Sequence, residues 1–275
     1  MKIIIVLLLL AAPLVAHAQT FPADTAYRPL RCGNAVMTDG FGDDNANRDE
    51  RDVVGDVAAP AGLRASDGTY LYLRMRLEDD PAPGGAVRTS SWGMEFDLDN
   101  DLTDYEVLVL VEGLSGAAGN VQVFANTQTT MPNSPADPAD TPPAQTYMFA
   151  SNARTVAAAG SNFGGNADFF LDFAVPWSAL TPLGLDRDTP VRVWVASSTL
   201  PDALNGDFAC HAGGGGTPPL DGGTASDPTT GDPNDPGANA GTGKLEGGGG
   251  CSAGAGAGWL VLLAVPLVWR KRRSV

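Results

Sequence analysis

The sequence predicts an all-β fold, an antiparallel β-sandwich, between two ends of very different composition. Apolar and polar residues alternate with a period of two, which is typical of strands that bury one face. Turn-forming residues separate five such runs: 69–77, 92–99, 105–112, 169–175 and 191–195. Only residues 155–159 and 176–180 suggest short helical turns. The predominance of strand patterns favours two packed sheets.

The run 69–77 shows the alternation most clearly. Its apolar positions are Leu71, Leu73, Met75 and Leu77, and its other face carries Tyr70, Tyr72, Arg74 and Arg76. Aromatic and guanidinium groups on one exposed face could bind a sugar ring or a protein partner. Two alternatives are open, in which a loop covers this face or its arginines pair with Glu95 or Glu106 on a neighbouring strand.

The next two runs flank an acidic stretch. In 92–99 the apolar series is Trp92, Met94, Phe96 and Leu98, and in 105–112 it is Tyr105, Val107, Val109 and Val111. Trp177 and Trp194, further along the chain, are interpreted as core or rim packing in preference to a ligand platform.

Several motifs in this region carry a family resemblance. Asp39-Gly40, DGTYLYLRMRLEDDP, WGMEFDLDND and DFAVPWSALTPLGL follow one another between residues 36 and 200. Their order resembles family 9 carbohydrate-binding modules and their DOMON-like relatives. The resemblance implies a jelly-roll-like sandwich more strongly than it implies sugar binding, and it assigns no ligand residue in this chain.

The first residues predict export. Lys2, an apolar run and the small-residue ending Ala16-His17-Ala18 form a secretory signal peptide over residues 1–18. The apolar run is shorter than the ~20 residues of a spanning helix. The globular domain is therefore expected over 19–211.

The last residues resemble the MYXO-CTERM sorting domain. A glycine run leads to Cys251, a short apolar helix follows, and an Arg-rich tail closes residues 251–275. The resemblance implies a sorting protease as partner, Cys251 as the motif cysteine, and display on the cell surface. A plain C-terminal membrane anchor is the alternative, and in either case the apolar helix contacts the membrane before processing.

Charge and composition restrict the partners. The formal net charge is −15, and all 32 acidic residues lie between the two ends. Such a surface argues against nucleic acid as a partner. Residues 212–250, rich in Gly, Pro, Asp and Thr, cannot form a core and are predicted to be a disordered linker.

The three cysteines fit an oxidising compartment. With Cys251 in the tail motif, Cys32 and Cys210 remain near the two ends of the domain, and we expect a disulfide between them. Closing so long a loop stabilises by about 5 kcal/mol in the chain-entropy description. Two unpaired thiols are the alternative.

The motifs do not favour catalysis. After the signal peptide the single histidine is His211, at the edge of the linker, and no HExxH motif, CxxC pair or phosphate-binding glycine loop is present. We therefore expect no enzyme. A carbohydrate-active or other hydrolase that uses Asp and Glu is the alternative, because carboxylates are abundant.

The stretch FDLDNDLTDYEV, residues 96–107, predicts a metal loop. Asp97, Asp99 and Asp101 alternate, and Asp104 follows three positions later. Carboxylates at alternate positions can gather around Ca²⁺, which accepts irregular shells of oxygen ligands. Leu102 and Leu108 stand where an EF-hand needs Gly and Glu, so the expected site is a strand-to-strand loop. A solvated acidic turn is the alternative.

A second acidic stretch, residues 39–52, repeats this alternation as Asp43, Asn45, Asn47 and Asp49. Arg48 and Arg51 offer neutralisation without a metal, so a solvated loop is the favoured interpretation here. The two stretches could also converge on one site.

Together these features predict a non-catalytic, exported, cell-surface protein. Its expected role is binding or adhesion, to a glycan or another envelope protein, with Ca²⁺ stiffening its loops. A hydrolase and a structural coat component are the alternatives.

Overall fold

The computed structural model describes residues 19–32, 35–44, 48–99, 101, 103–189 and 191–209. This part of the chain is mostly β-structure, and all of its strand pairs are antiparallel. The predicted all-β class is therefore confirmed. The predicted signal peptide, the linker, the sorting tail and Cys210 lie outside the described residues, so the Cys32–Cys210 disulfide stays a prediction.

Twelve strands, two short α-helices and four 3₁₀ turns are assigned within the described residues. The strands are β1 Arg28–Pro29, β2 Arg31–Cys32, β3 Ala35–Val36, β4 Gly62–Ser66, β5 Tyr70–Leu77, β6 Ser91–Asp97, β7 Val107–Glu112, β8 Asn120–Ala125, β9 Gln145–Met148, β10 Ala153–Ala157, β11 Phe169–Pro176 and β12 Arg192–Ser198. The helices are α1 Phe149–Asn152 and α2 Trp177–Leu180, and the 3₁₀ turns are Asp24–Ala26, Asp49–Arg51, Pro83–Gly85 and Thr181–Leu183.

The strands form two five-stranded sheets and a two-stranded one. The first sheet has the order β1-β4-β5-β11-β10, the second has the order β12-β6-β7-β8-β9, and β2 pairs with β3. In the second sheet β6, β7, β8 and β9 follow the chain order, whereas β12 returns from the end of the domain to pair with β6. This return brings residues near 192–209 beside a strand formed a hundred positions earlier.

One apolar core contains the alternating side chains of both five-stranded sheets. Leu71, Leu73, Met75 and Leu77 of β5 belong to it, together with Trp92, Met94 and Phe96 of β6 and Val107, Val109 and Val111 of β7. These side chains are fully buried. The period-two pattern therefore identified the core-facing side of these strands correctly, because successive strand residues point to opposite faces.

The outer face of the second sheet carries a further apolar cluster. Trp194 of β12 and Leu108 of β7 pack there with Tyr105 and Phe208. Tyr105 was expected in the inward series of Val107, but it precedes the strand and donates its hydroxyl to the carbonyl oxygen of Asp137 at 2.7 Å. Trp177 belongs to the inner core. Both tryptophans are buried, as the packing interpretation predicts.

One of the two predicted helical turns is wrong. Residues 155–157 belong to β10, where Thr155 pairs with Leu171 and Val156 with Phe170 of β11. β-Branched Thr and Val favour this extended pairing. The other expected turn is confirmed as α2, which begins directly after the Pro176 end of β11.

Candidate functional site

The connection between β6 and β7 brings three carboxylates together. Asp97 is the last residue of β6, Asp99 lies two residues further, and Glu106 immediately precedes β7. One carboxylate oxygen of each lies within 4.8 Å of the other two. We call these three residues the hairpin site. Asp97 is buried, Glu106 is half-buried and Asp99 is exposed, so the site opens to solvent on one side.

Backbone hydrogen bonds hold the hairpin site in place. The N–H of Leu98 donates to Glu106 Oε2 at 2.6 Å, and the N–H of Asp99 donates to Asp97 Oδ1 at 3.2 Å. The N–H of Glu106 donates to the carbonyl oxygen of Phe96 at 3.0 Å, which fixes the register across the hairpin. These contacts orient the carboxylates before any ligand arrives.

The electrostatics of the hairpin site favour a cation. The pKa of Glu106 is raised to about 7, mainly by burial and also by repulsion from Asp99, Asp97 and Asp104, which together outweigh the lowering effect of the Leu98 N–H. Arg192 of β12 lies opposite Asp97 in the sheet and brings one positive charge to this edge. Three carboxylates this close to one another repel, and a divalent ion between them would relieve that repulsion.

The structure places two of the four predicted metal ligands in the hairpin site. Asp97 and Asp99 belong to the hairpin site, whereas Asp101 and Asp104 are not in this group among the described residues. The carboxylate of Asp101 accepts the N–H of Thr103 at 3.1 Å, and that of Asp104 accepts the hydroxyl of Thr129. Glu106, the third member of this group, was not among the predicted residues. The feature of the sequence that could have identified Glu106 is its position immediately before β7, directly across the hairpin from Asp97. Calcium binding itself stays a prediction.

The second acidic stretch contributes to a different group. Asp43 lies with Asp39 and Asp207, and one carboxylate oxygen of each lies within 4.8 Å of the other two. Asp49 accepts a hydrogen bond from Asn166 Nδ2 at 3.1 Å, and Asn45 and Asn47 lie outside the described residues. The two acidic stretches thus form separate groups in the part of the chain that the structure describes.

The Tyr/Arg face of β5 is covered. Tyr72, Arg74 and Arg76 are buried, and Tyr70 is half-buried, so the expectation of an exposed face is wrong for three of its four side chains. Phe21 packs edge-on against Tyr72 with ring centroids 5.9 Å apart, and Tyr27 stacks on the Arg74 guanidinium at 3.9 Å. The segment that follows the predicted cleavage site therefore covers this face, which is one of the alternatives that the sequence left open.

Arg74 has a different partner from those considered in the sequence. Its Nε and one terminal nitrogen donate to the two oxygens of Asp172 on β11, at 2.6 and 2.9 Å. Arg154 Nε donates to the same carboxylate at 2.8 Å, and Asp24 contacts Arg74 from the solvent side at 2.9 Å. Glu95 lies in β6 of the second sheet and Glu106 immediately precedes β7, so neither is the partner of Arg74. Ligand binding by the four predicted residues stays a prediction.

A cavity of about 490 Å³ lies beside α2. Trp177, Thr181 and the four residues 186–189 line it. The Trp177 ring is buried, and its Nε1 donates to the hydroxyl of Ser66 at 3.0 Å, so the ring faces are used for packing. The cavity therefore offers polar groups to a ligand but no open aromatic platform.

No protein-family model, no curated protein and no solved structure matches the chain. The two family resemblances stay predictions. In the described part of the chain, no helix has both the length and the apolar character that crossing a membrane requires.

Replacing Asp172 by Ala should lower the free energy of unfolding by about 3–5 kcal/mol, because it leaves the buried Arg74 without its main counter-charge. Asp24→Ala removes the solvent-exposed partner of the same guanidinium and should cost less than about 1 kcal/mol. Urea unfolding of both variants measures the difference. Equal losses would contradict the assignment of Asp172 as the main partner.

Proposed function

We propose that the chain is an exported, surface-displayed, non-catalytic protein whose jelly-roll-like β-sandwich domain binds a glycan or another envelope protein. Calcium at the hairpin site stiffens the loops of this domain. The convergence of Asp97, Asp99 and Glu106 at the end of β6 carries the calcium part of the proposal, and the sequences of the two ends support export and display.

The sandwich architecture rests on the shared core. Alternate residues of β5 and β11 in the first sheet and of β6, β7 and β12 in the second belong to one apolar cluster. Two antiparallel sheets that face each other across such a cluster form a sandwich. The return of β12 to pair with β6 is a long-range connection of the kind that jelly-roll topologies contain.

Calcium is the ion that fits the hairpin site. Its three side chains offer only carboxylate oxygens, which suit a hard cation and do not suit zinc, which prefers nitrogen and sulfur. The exposure of Asp99 leaves room for water to complete a shell of six to eight oxygens. Export would place the domain in a medium that contains divalent cations.

Asp99→Asn should abolish calcium binding at the hairpin site, whereas Asp101→Asn should not. The two positions are matched, because each carboxylate accepts the N–H of the residue two positions ahead, at 2.8 and 3.1 Å, and Asn preserves that bond. Titration calorimetry of CaCl₂ into the EDTA-treated protein, with Tm followed in parallel, measures the effect. A calcium concentration 100 times the Kd should stabilise the native state by about 2.7 kcal/mol.

The contrast between these two variants decides the assignment. If Asp99→Asn binds calcium as the parent protein does, the hairpin is a solvated acidic turn. If both variants lose binding, the ligand set extends to Asp101 and is not the one described above.

A binding module is expected to bind its ligand without cleaving it. Retention on an immobilised polysaccharide panel, with no reducing ends released over hours, is the expected result for a binding module. Release of reducing ends would establish the hydrolase alternative, in which paired Asp and Glu side chains cleave the glycan. Retention of purified envelope protein in place of glycan would keep the binding role and identify the partner class.

A further inference from the structure

A second group of carboxylates lies where the beginning and the end of the domain meet. Asp39 pairs with Gly55 through both backbone hydrogen bonds, and Asp207 lies nine residues after the end of β12 at Ser198. Asp43 completes the group, with one oxygen of each carboxylate within 4.8 Å of the others. Asp52 is next to it, because its Oδ2 accepts the N–H of Gly42 at 2.5 Å. We call these four residues the clamp site.

Backbone donors occupy one side of the carboxylates. Gly40 N–H donates to Asp39 Oδ1 at 3.0 Å, and Val53 N–H donates to Asp207 Oδ2 at 2.5 Å. Together with the Gly42 bond, these contacts use one oxygen each of Asp39, Asp52 and Asp207. Hydrogen bonds that fix one oxygen orient the other, as they do around metal ligands.

One of the remaining oxygens points to a ligand. Asp39 is 6% exposed, and within the described residues its Oδ2 is buried with no hydrogen-bond partner. Asp52 is 1% exposed, and its side chain also forms hydrogen bonds with the carboxyl groups of Asp207 and Glu78. A buried acceptor with no partner costs on the order of 1–3 kcal/mol, and more when it is charged. Three backbone bonds hold the carboxylates in this arrangement, so the cost requires a compensating group.

The neighbouring arginines are paired elsewhere. Arg48 contacts Glu50 at 2.5 Å, and Arg51 contacts Asp44 at 3.9 Å. Burial, together with repulsion from Asp207, Asp43 and Asp52, raises the pKa of Asp39 well above its usual range. Burial also raises the pKa of Asp207 to about 7. The charges that act most strongly on Asp39 are thus carboxylates, and a divalent cation at their centre relieves the repulsion.

We infer that Asp39, Asp43, Asp52 and Asp207 form a second calcium site that clamps the two sheets together. Asp52 and the following Val53 run beside the end of β5, where Val53 pairs with Leu77 and Glu78 N–H donates to the carbonyl oxygen of Asp52 at 3.0 Å. Asp207 runs beside β12, where Ser197 N–H donates to its carbonyl oxygen at 2.9 Å. An ion held by both segments links the first sheet to the second.

The clamp site is independent of the hairpin site, since the two share no residue. Its four ligands are carboxylates, and three of them are buried, so it is more enclosed than the hairpin site. The oxygen-only chemistry again selects a hard divalent ion. Calcium would act here as a cross-link between residues that are distant in sequence. Its binding at the clamp site should therefore raise the free energy of unfolding more than its binding at the hairpin site.

The Asp39→Asn variant separates a calcium-binding role of Asp39 from a purely structural one. The reason is that the expected direction of the change in stability depends on whether calcium is present. In EDTA the variant should be at least as stable as the parent, since it removes one of several repelling charges and keeps the acceptor for Gly40 N–H. In CaCl₂ it should melt lower than the parent and bind about one equivalent of calcium fewer. Asp207→Asn is the second variant and should behave in the same way.

Asp56→Asn is the matched control, because Asp56 is exposed in the same loop and accepts only the N–H groups of Ala58 and Ala59 among its hydrogen bonds described here. Calorimetry and Tm are measured on the full chain in EDTA and in CaCl₂. An Asp39→Asn variant that retains the calcium stoichiometry of the parent, or that loses the same Tm in both buffers, would overturn the clamp site.

The same titration distinguishes the hairpin site from the clamp site. Binding that survives Asp99→Asn but is lost in Asp39→Asn supports the clamp site and removes the hairpin site. Binding lost only in Asp99→Asn supports the hairpin site and overturns the clamp. A parent protein that takes up about two equivalents and variants that each lose one support both.

Discussion

Repulsion between carboxylates that the fold removes from water is the constraint on which the loops of this domain depend. Ionised side chains are costly to bury, and several of one sign in one place raise that cost. The domain offsets this cost in two ways. Asp172 on the first sheet lies between Arg74 and Arg154, so its charge is balanced within the protein. At the hairpin and clamp sites several carboxylates lie close to one another, and we propose that a bound ion offsets their repulsion.

The sheets determine where these groups meet. The β6–β7 hairpin places Asp97 and Glu106 on neighbouring strand ends, and the return of β12 brings Asp207 beside the loop that contains Asp39. Neither arrangement requires a long loop with a fixed metal motif. The antiparallel sheets therefore bring together carboxylates from segments that are distant in sequence, and the calcium ions that we propose there would stiffen these edges.

The local patterns in the sequence were sufficient to predict β5, β6, β7, β11 and β12 and the core-facing side of β5, β6 and β7, but they did not predict β4, β8, β9 or β10. They also placed Asp97 and Asp99 in one acidic turn. Residues brought to the sites by strand pairing were missed. Glu106 enters the hairpin site through the register of two strands, and Asp207 reaches the clamp site through the return of β12. The expected Cys32–Cys210 disulfide was a signal for the second case, because it would bring the regions of residues 39 and 207 together.

The most direct measurement is a crystal structure of the protein grown with calcium, with an anomalous difference map to locate the ions. We expect two peaks, one with Asp97, Asp99 and Glu106 oxygens within about 2.6 Å, and one with Asp39, Asp43, Asp52 and Asp207 oxygens at the same distance. A well-ordered map in which water alone occupies both positions would contradict the account, because the repulsion would then be relieved without a metal.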